Sequence, residues 1–285
     1  MTTAEVVMSD QVAWSEAADR AKSRVAGWRL CQLVLTVAGA VLAAVSAQWG
    51  GRPGQVVAGV SAACLAVVPF ITARELGADR VLAWTASRAV SERLKSEVYR
   101  YLAGVAPYDR SDRDAVLLGR RDSAVAEGER YETWLRSPVE ERPLPDVHDI
   151  PSYVERRVAV AVDGYYARRA VEERRRYERL HTAEFVLAVS AVVLGALASA
   201  TGFDLGAWVA VATTVGTAVA AHVAAARHLE QSESYSRAAR RLRALRDRAA
   251  IADAPGLGAL VDECEAIILG ENQSWTGLWS PDPPE

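Results

Sequence analysis

The chain has 285 residues, of which 51% are hydrophobic and 24% charged, with a formal net charge of −3. Its mean hydropathy of +0.02 averages very apolar stretches with very charged flanks. This composition excludes a disordered chain and supplies no global basic field, so no nucleic-acid partner is expected.

Residues 10–29 predict a helix that runs into a first apolar stretch at about 30–48. "WGGRPG" follows as a tight turn, in which glycines give backbone freedom and Pro53 stops a helix. A second apolar stretch covers about 54–73, with Pro69 as a kink. A charged helix continues over about 74–103, with Val90, Leu94, Val98 and Tyr101 on one helical stripe. Another helix is expected over about 111–136. The prolines of "SPVEERPLPDVHDIP", residues 137–151, mark a boundary. A second charged helix starts near Ser152 and runs through Val158, Val162 and Tyr166 into a third apolar stretch at about 183–201. "TGFDLG" is the second turn, and a fourth stretch covers about 206–226. A charged helix to about 252 and a short helix near 257–270 close the chain.

No charged residue lies between Arg29 and Arg52, between Arg52 and Arg74, or between Glu184 and Asp204. Between Asp204 and Arg227 only His222 titrates. A helix rises about 1.5 Å per residue, and about 20 apolar residues cross a hydrocarbon layer. A soluble helix leaves a polar stripe in water, and these windows have none. The expected fold is therefore all-α: an integral membrane protein with four transmembrane helices in two hairpins and long cytosolic helical extensions. "AVSAQ" imitates a signal-peptide cleavage site, but the apolar run begins only near Leu30, after several acidic residues, and a second span follows at once.

The plan repeats. "WSEAADRAKSRVAGWRLCQLVLTVAGAVLAAV" and "YARRAVEERRRYERLHTAEFVLAVSAVVLGAL" align without gaps, and each half reads charged helix, hairpin, charged helix. The expected units are 1–136 and 152–285, joined by the linker 137–151. The two turns carry only Arg52, whereas the opposite ends of the spans are rich in Arg. The positive-inside rule then places both termini and the middle segment in the cytoplasm, with the chain in a bacterial inner membrane.

No phosphate-cradling loop, nucleophile elbow or zinc-spaced Cys/His set is present, so neither an enzyme nor a cofactor or metal is expected. "VHD", with His148 and Asp149, imitates a metal-phosphohydrolase dyad but lacks partners. "DRSDRD", Asp109–Asp114, lacks the spacing and glycine of a calcium loop and reads as a helix cap. Cys31, Cys64 and Cys264 are odd in number and read as reduced, small hydrophobes. Asn272-Gln273-Ser274 forms a glycosylation-like triplet on the cytosolic side. His181 and His222 share a depth that permits a pH-sensitive gate, or they are interfacial side chains.

Gln32, Thr36, Ser61, Thr213 and Thr217 are polar groups within the spans. They are candidates to line a pore, or they bond their own or a neighbouring helix. Ala212, Gly216 and Ala220 make a small-residue face on span four, a better candidate for close helix packing than Gly39 and Ala43 on span one. Arg174, Arg175, Arg176 and Arg179 form a basic patch suited to anionic lipid or a nucleotide, although Glu172, Glu173 and Glu178 offset it. Trp14, Trp28 and Trp49 are interface anchors or packing residues, and Trp275 and Trp279 would lock a helical bundle.

Three stretches carry a family resemblance: "RLKSEVYRYLAGVAPY" (93–108), "SYVERRVAVAVDGYYARRA" (152–170) and "ECEAIILGENQSWTGLW" (263–279). They resemble SLATT domains, the two-transmembrane effectors associated with bacterial nucleotide-messenger synthetases and SLOG sensors, here as two units in tandem. The resemblance implies a membrane effector of bacterial conflict or antiviral defence. It would oligomerise into a pore or disrupt the bilayer, so the implied partners are the lipid bilayer and further copies of the chain. No synthetase or sensing domain is recognisable, so the trigger would be a separate sensor protein or a nucleotide second messenger. The alternative is a non-enzymatic scaffold that recruits cytosolic partners.

Overall fold

A computed structural model describes residues 1–135, 142–202, 205–251 and 254–279, with the side chains of the last helix described from 256 to 272. All regular structure among these residues is helical: α1 (Thr3–Gln48), α2 (Gly51–Glu75), α3 (Ala78–Ala103), α4 (Arg113–Gly128), α5 (Ile150–Tyr153), α6 (Ala167–Thr201), α7 (Gly206–Ala226), α8 (His228–Ala249) and α9 (Ala254–Trp279). A 3₁₀ turn follows α4 at Glu129–Trp134, and a wide helix, Val154–Tyr166, joins α5 to α6. By length and composition, four helical stretches among the described residues are able to cross a membrane. They lie within Thr3–Gln48, Gly51–Glu75, Ile150–Thr201 and Gly206–Ala249. The chain is thus an all-α membrane protein.

Local chemistry sets the helix ends. Thr2 and Glu5 form a reciprocal cap on α1: the Thr2 hydroxyl accepts from the Glu5 amide (3.3 Å), and the Glu5 carboxylate accepts from the Thr2 nitrogen (2.6 Å). At the first hairpin, a Cβ on Gly54 would stand 1.8 Å from the Trp49 carbonyl oxygen, so only glycine closes this turn. Pro69 lies inside the continuous helix α2. Pro151 stands in the first turn of α5, where its missing N–H is no loss. The preceding Asp149 and Ser152 make a capping box, which is the role of the "VHD" stretch. At "DRSDRD" the cap is weaker than expected. Asp112 holds the N-cap position without a side-chain bond, and Asp114 instead accepts from the Tyr101 hydroxyl at 2.5 Å.

The wide helix is a departure from the expected α-helix. Its last turn is closed by an i→i−5 bond, from the Ala167 amide to the Val162 carbonyl. At about 3.6 residues per turn, Tyr153 and Tyr166 would lie roughly 140° apart around an α-helix. The looser winding brings both to one side, and Tyr153, Val158, Val162 and Tyr166 are all buried.

Two compact units emerge, and they cut across the sequence halves. The extramembrane unit comprises 1–23, 78–171 and 232–285, and the membrane unit comprises 24–77 and 172–231. Each unit therefore draws on both halves of the chain. In the extramembrane unit, one apolar cluster joins Tyr153, Val158, Val162, Leu242, Val261 and Cys264. A second joins Val7, Trp14, Leu94, Val98 and Leu117. Trp14 is a packing residue, 1% exposed, and Gly128 lies against it so closely that a Cβ there would meet the ring at 2.6 Å. Trp49 is exposed at the hairpin turn. Trp275 and Trp279 lie in α9, with side chains outside the described set.

In the membrane unit, α1 and α2 meet at Gly39. A Cβ there would stand 2.6 Å from Leu65, and the Ser61 hydroxyl donates to the Gly39 carbonyl at 2.7 Å. At Gly216 of α7 a Cβ would meet Leu187 of α6 at 3.7 Å, an ordinary contact. Each hairpin thus has a close contact at a glycine: the end of the Leu65 side chain over Gly39, and the Leu187 Cβ beside Gly216. Ala212 is buried in this unit and Ala220 is partly buried.

Candidate functional site

The membrane unit encloses a half-open cavity of about 680 Å³. From α1 it is lined by Arg29, Gln32 and Thr36, and from α2 by Thr72. From α7 come Thr213, Thr214, Thr217 and His222. Four of the five residues expected to line a pore, Gln32, Thr36, Thr213 and Thr217, thus share one cavity. Ser61 does not; its hydroxyl bonds the Gly39 carbonyl in the α1–α2 contact. Sequence reasoning had set His222 apart from this group and had missed Arg29 and Thr72. Their signal was position: each lies near the arginine-rich end of its span, on the side of the helix that carries the polar groups.

The cavity wall is polar at low energetic cost. Thr36 donates to the Gln32 carbonyl (2.9 Å), Thr72 to Val68 (3.0 Å), Thr213 to Val209 (2.9 Å) and Thr217 to Thr213 (3.0 Å). Each of these four hydroxyl protons is satisfied one turn back on its own helix, so insertion leaves none of the four an orphan donor. The oxygen lone pairs remain available to an incoming partner. Among the described residues no carboxylate lines the cavity.

The basic patch is partly internally paired. Arg174 donates to Glu178 (2.7 Å) and Arg176 to Glu173 (3.0 Å). Arg175 and Arg179 are exposed and flank a shallow groove with Glu178 and Thr182. Glu173 also receives His228 Nδ1 at 2.6 Å, which ties the base of α6 to the start of α8. Just before it, Arg227 takes a left-handed conformation with φ 49° and ends α7. His181 is 64% exposed at its side chain and lies 3.5 Å from Glu184, so it does not join His222 at the cavity.

The extramembrane unit holds a second polar centre that sequence reasoning missed. Arg157 grips Glu265 with two bonds of 3.0 Å each, and Tyr153 donates to the same carboxylate at 2.9 Å. The Glu265 side chain is fully buried and that of Arg157 is 6% exposed. The Arg157 guanidinium stacks 4.7 Å from the centre of the Tyr99 ring. Nearby, Arg88 donates to Asn272 (2.9 Å) and to the Tyr165 hydroxyl (3.2 Å). Asn272 is 5% exposed, so this residue of the glycosylation-like triplet is a core contact. Burial alone would raise the Glu92 carboxyl, but Lys95, Arg88 and Arg157 together hold it below its ordinary value. Burial, and then the charge of Arg157, push the Lys95 ammonium below its ordinary value. Burial first, then Glu265, raises the Cys264 thiol to about 12, so it stays a protonated, inert core group. Tyr99, Arg157 and Glu265 come one each from the three stretches that resemble SLATT domains, which converge on this ion pair.

Residues 153–275 match the family described as SMODS and SLOG-associating 2TM effector domain 1. Over these residues the chain is similar to the SLATT family. The match takes in the wide helix, the second hairpin, α8 and most of α9, which are the elements that contribute Arg157 and Glu265. Residues 10–115 match a family described as protein of unknown function (DUF4231), which takes in the first hairpin and α3. No curated protein and no solved structure matches the chain. The matched family is described as an effector domain, and the chain carries helices long and apolar enough to cross a membrane.

Proposed function

We propose that the protein is an effector of a bacterial conflict or antiviral defence system. When triggered, several copies associate and open a path through the inner membrane, with the α1–α7 cavity as its polar wall. The observation that carries this reading is the cavity itself: Gln32, Thr36, Thr213 and Thr217 are brought together within the membrane unit. The absence of an ionisable carboxylate there favours a weakly selective path over a coupled transporter. The first half acts as a second SLATT-type unit in tandem. The protein is not an enzyme and needs no cofactor. It does not bind nucleic acid, and its trigger is a separate sensor protein or a nucleotide second messenger.

Both termini lie in the cytoplasm in this reading, as the arginine distribution requires. Reporter fusions at Arg52 and Asp204 are expected to report outside, and fusions at Asp114, Asp146 and Glu285 inside. An outside signal at Asp146 would sink the topology. For activity, strong expression together with the native neighbouring proteins is expected to depolarise the inner membrane before lysis. The scaffold reading replaces this one if inserted protein accumulates with an unchanged potential.

A further inference from the structure

The geometry points to a phospholipid site in the α1–α7 cavity, with the lipid phosphate held at the mouth by Arg29, Gln32 and His222. The mouth lies at the arginine-rich end of the spans. Arg29 is the last charge before the uncharged run that begins at Leu30, and His222 stands just ahead of Arg227 at the end of α7. This is the depth at which lipid phosphates reside. The three mouth side chains all supply hydrogen-bond donors, and among the described residues no carboxylate lines the cavity. The Gln32 amide and the His222 ring make no protein hydrogen bond among the described residues, in a slab where an unpaired polar group is costly.

Farther from the mouth the cavity takes up an apolar chain rather than a soluble nucleotide. Ala218 and the threonines line it there, and the Thr213 and Thr217 hydroxyl protons are already committed to their own helix, which leaves their methyl groups to meet an acyl chain. A phosphate with an attached acyl chain fits both ends, whereas a free phosphate compound fits only the mouth. The site rests on membrane insertion and not on pore formation, so lipid retention and leakage fail independently of one another.

The test is native mass spectrometry of the full chain released from vesicles of phosphatidylcholine and phosphatidylglycerol. Wild type is expected to retain one phosphatidylglycerol per chain. Arg29→Gln should lower retention by about fivefold, the effect of one cation near an anionic headgroup. Arg29→Lys should restore much of it. Arg24→Gln removes a charge at the same end of the span but outside the cavity, and should leave retention unchanged. Ala221→Phe keeps every charge, fills the cavity and should also expel the lipid. Added inorganic pyrophosphate, a free phosphate probe, should not displace it. Equal retention in wild type, Arg29→Gln and Ala221→Phe would overturn the site. An equal loss in Arg24→Gln would reduce it to general charge attraction, and displacement by pyrophosphate would assign the mouth to a soluble phosphate compound instead.

Discussion

In the extramembrane unit the Glu265 carboxylate is held by Arg157 and Tyr153, which lie 108 and 112 positions away in sequence. In the membrane unit Thr36, Thr72, Thr213 and Thr217 each bond a carbonyl on their own helix, four positions back. The first pattern ties separate helices into one arrangement, because moving any element orphans a buried charge. The second leaves each span self-satisfied. In the membrane unit the Ser61 hydroxyl bonds the Gly39 carbonyl and His228 bonds Glu173 from one helix to another, while the threonine bonds stay within single helices.

The sharpest test of this contrast is the buried pair. Glu265→Ala leaves the Arg157 charge buried and is expected to cost about 3–5 kcal/mol, read by denaturant unfolding in detergent. The double change Arg157→Met with Glu265→Leu should cost far less, since it removes both charges together. A loss under about 1 kcal/mol for the single change would break the contrast.

Next come the glycines of the membrane unit. Gly54→Ala forces the backbone at the first turn and should cost about 1–3 kcal/mol. Gly216→Ala should be neutral or stabilise by up to about 1 kcal/mol, because its Cβ has room and alanine favours a helix. Gly216→Leu should leave insertion intact while pushing α7 off Leu187, read by cross-linking between α6 and α7 in membranes. Unchanged cross-linking would show that this face looks at lipid.

A pH series separates the units further. The Glu92 carboxyl is depressed in the folded chain, so its contribution is complete above the ordinary value of 4.5 and is lost as pH falls through the lower folded value. Stability should therefore fall on the acid side of 4.5, and Glu92→Gln should flatten that slope. An identical slope in the variant would remove Glu92 from the network. The smallest expected effect is Thr213→Val with Thr217→Val, where stability should change by no more than about 0.6 kcal/mol per site because only local bonds are lost.

Much of this was legible from local sequence. Charge-free windows mark the spans, and "WGGRPG" marks the first hairpin turn, because bilayer insertion is decided by stretches of about 20 residues; the middle of "TGFDLG" lies outside the described residues. The polar cavity was legible in part: Gln32, Thr36, Thr213 and Thr217 stood out as polar in apolar runs, but Arg29 reads only as a flanking charge until α1 and α7 are packed. The Arg157–Glu265 pair was not legible, since nothing local distinguishes Arg157 from Arg156 in "VERRVAV". The distinction depends on the wide winding of Val154–Tyr166, which turns Arg157 inward and leaves Arg156 exposed. Nor did the sequence repeat reveal that each compact unit takes segments from both halves, which is a property of long-range packing.

The central claim is that the threonine-lined cavity belongs to a path through the membrane, and inner-membrane potential during expression with the native neighbours tests it most directly. Wild type is expected to depolarise cells before lysis. Thr213→Val with Thr217→Val, inserted to the same level and equally stable, should depolarise them substantially less. Equal depolarisation by both would show that the membrane is disrupted elsewhere than through this cavity. An unchanged potential with inserted wild type would contradict the effector account as a whole.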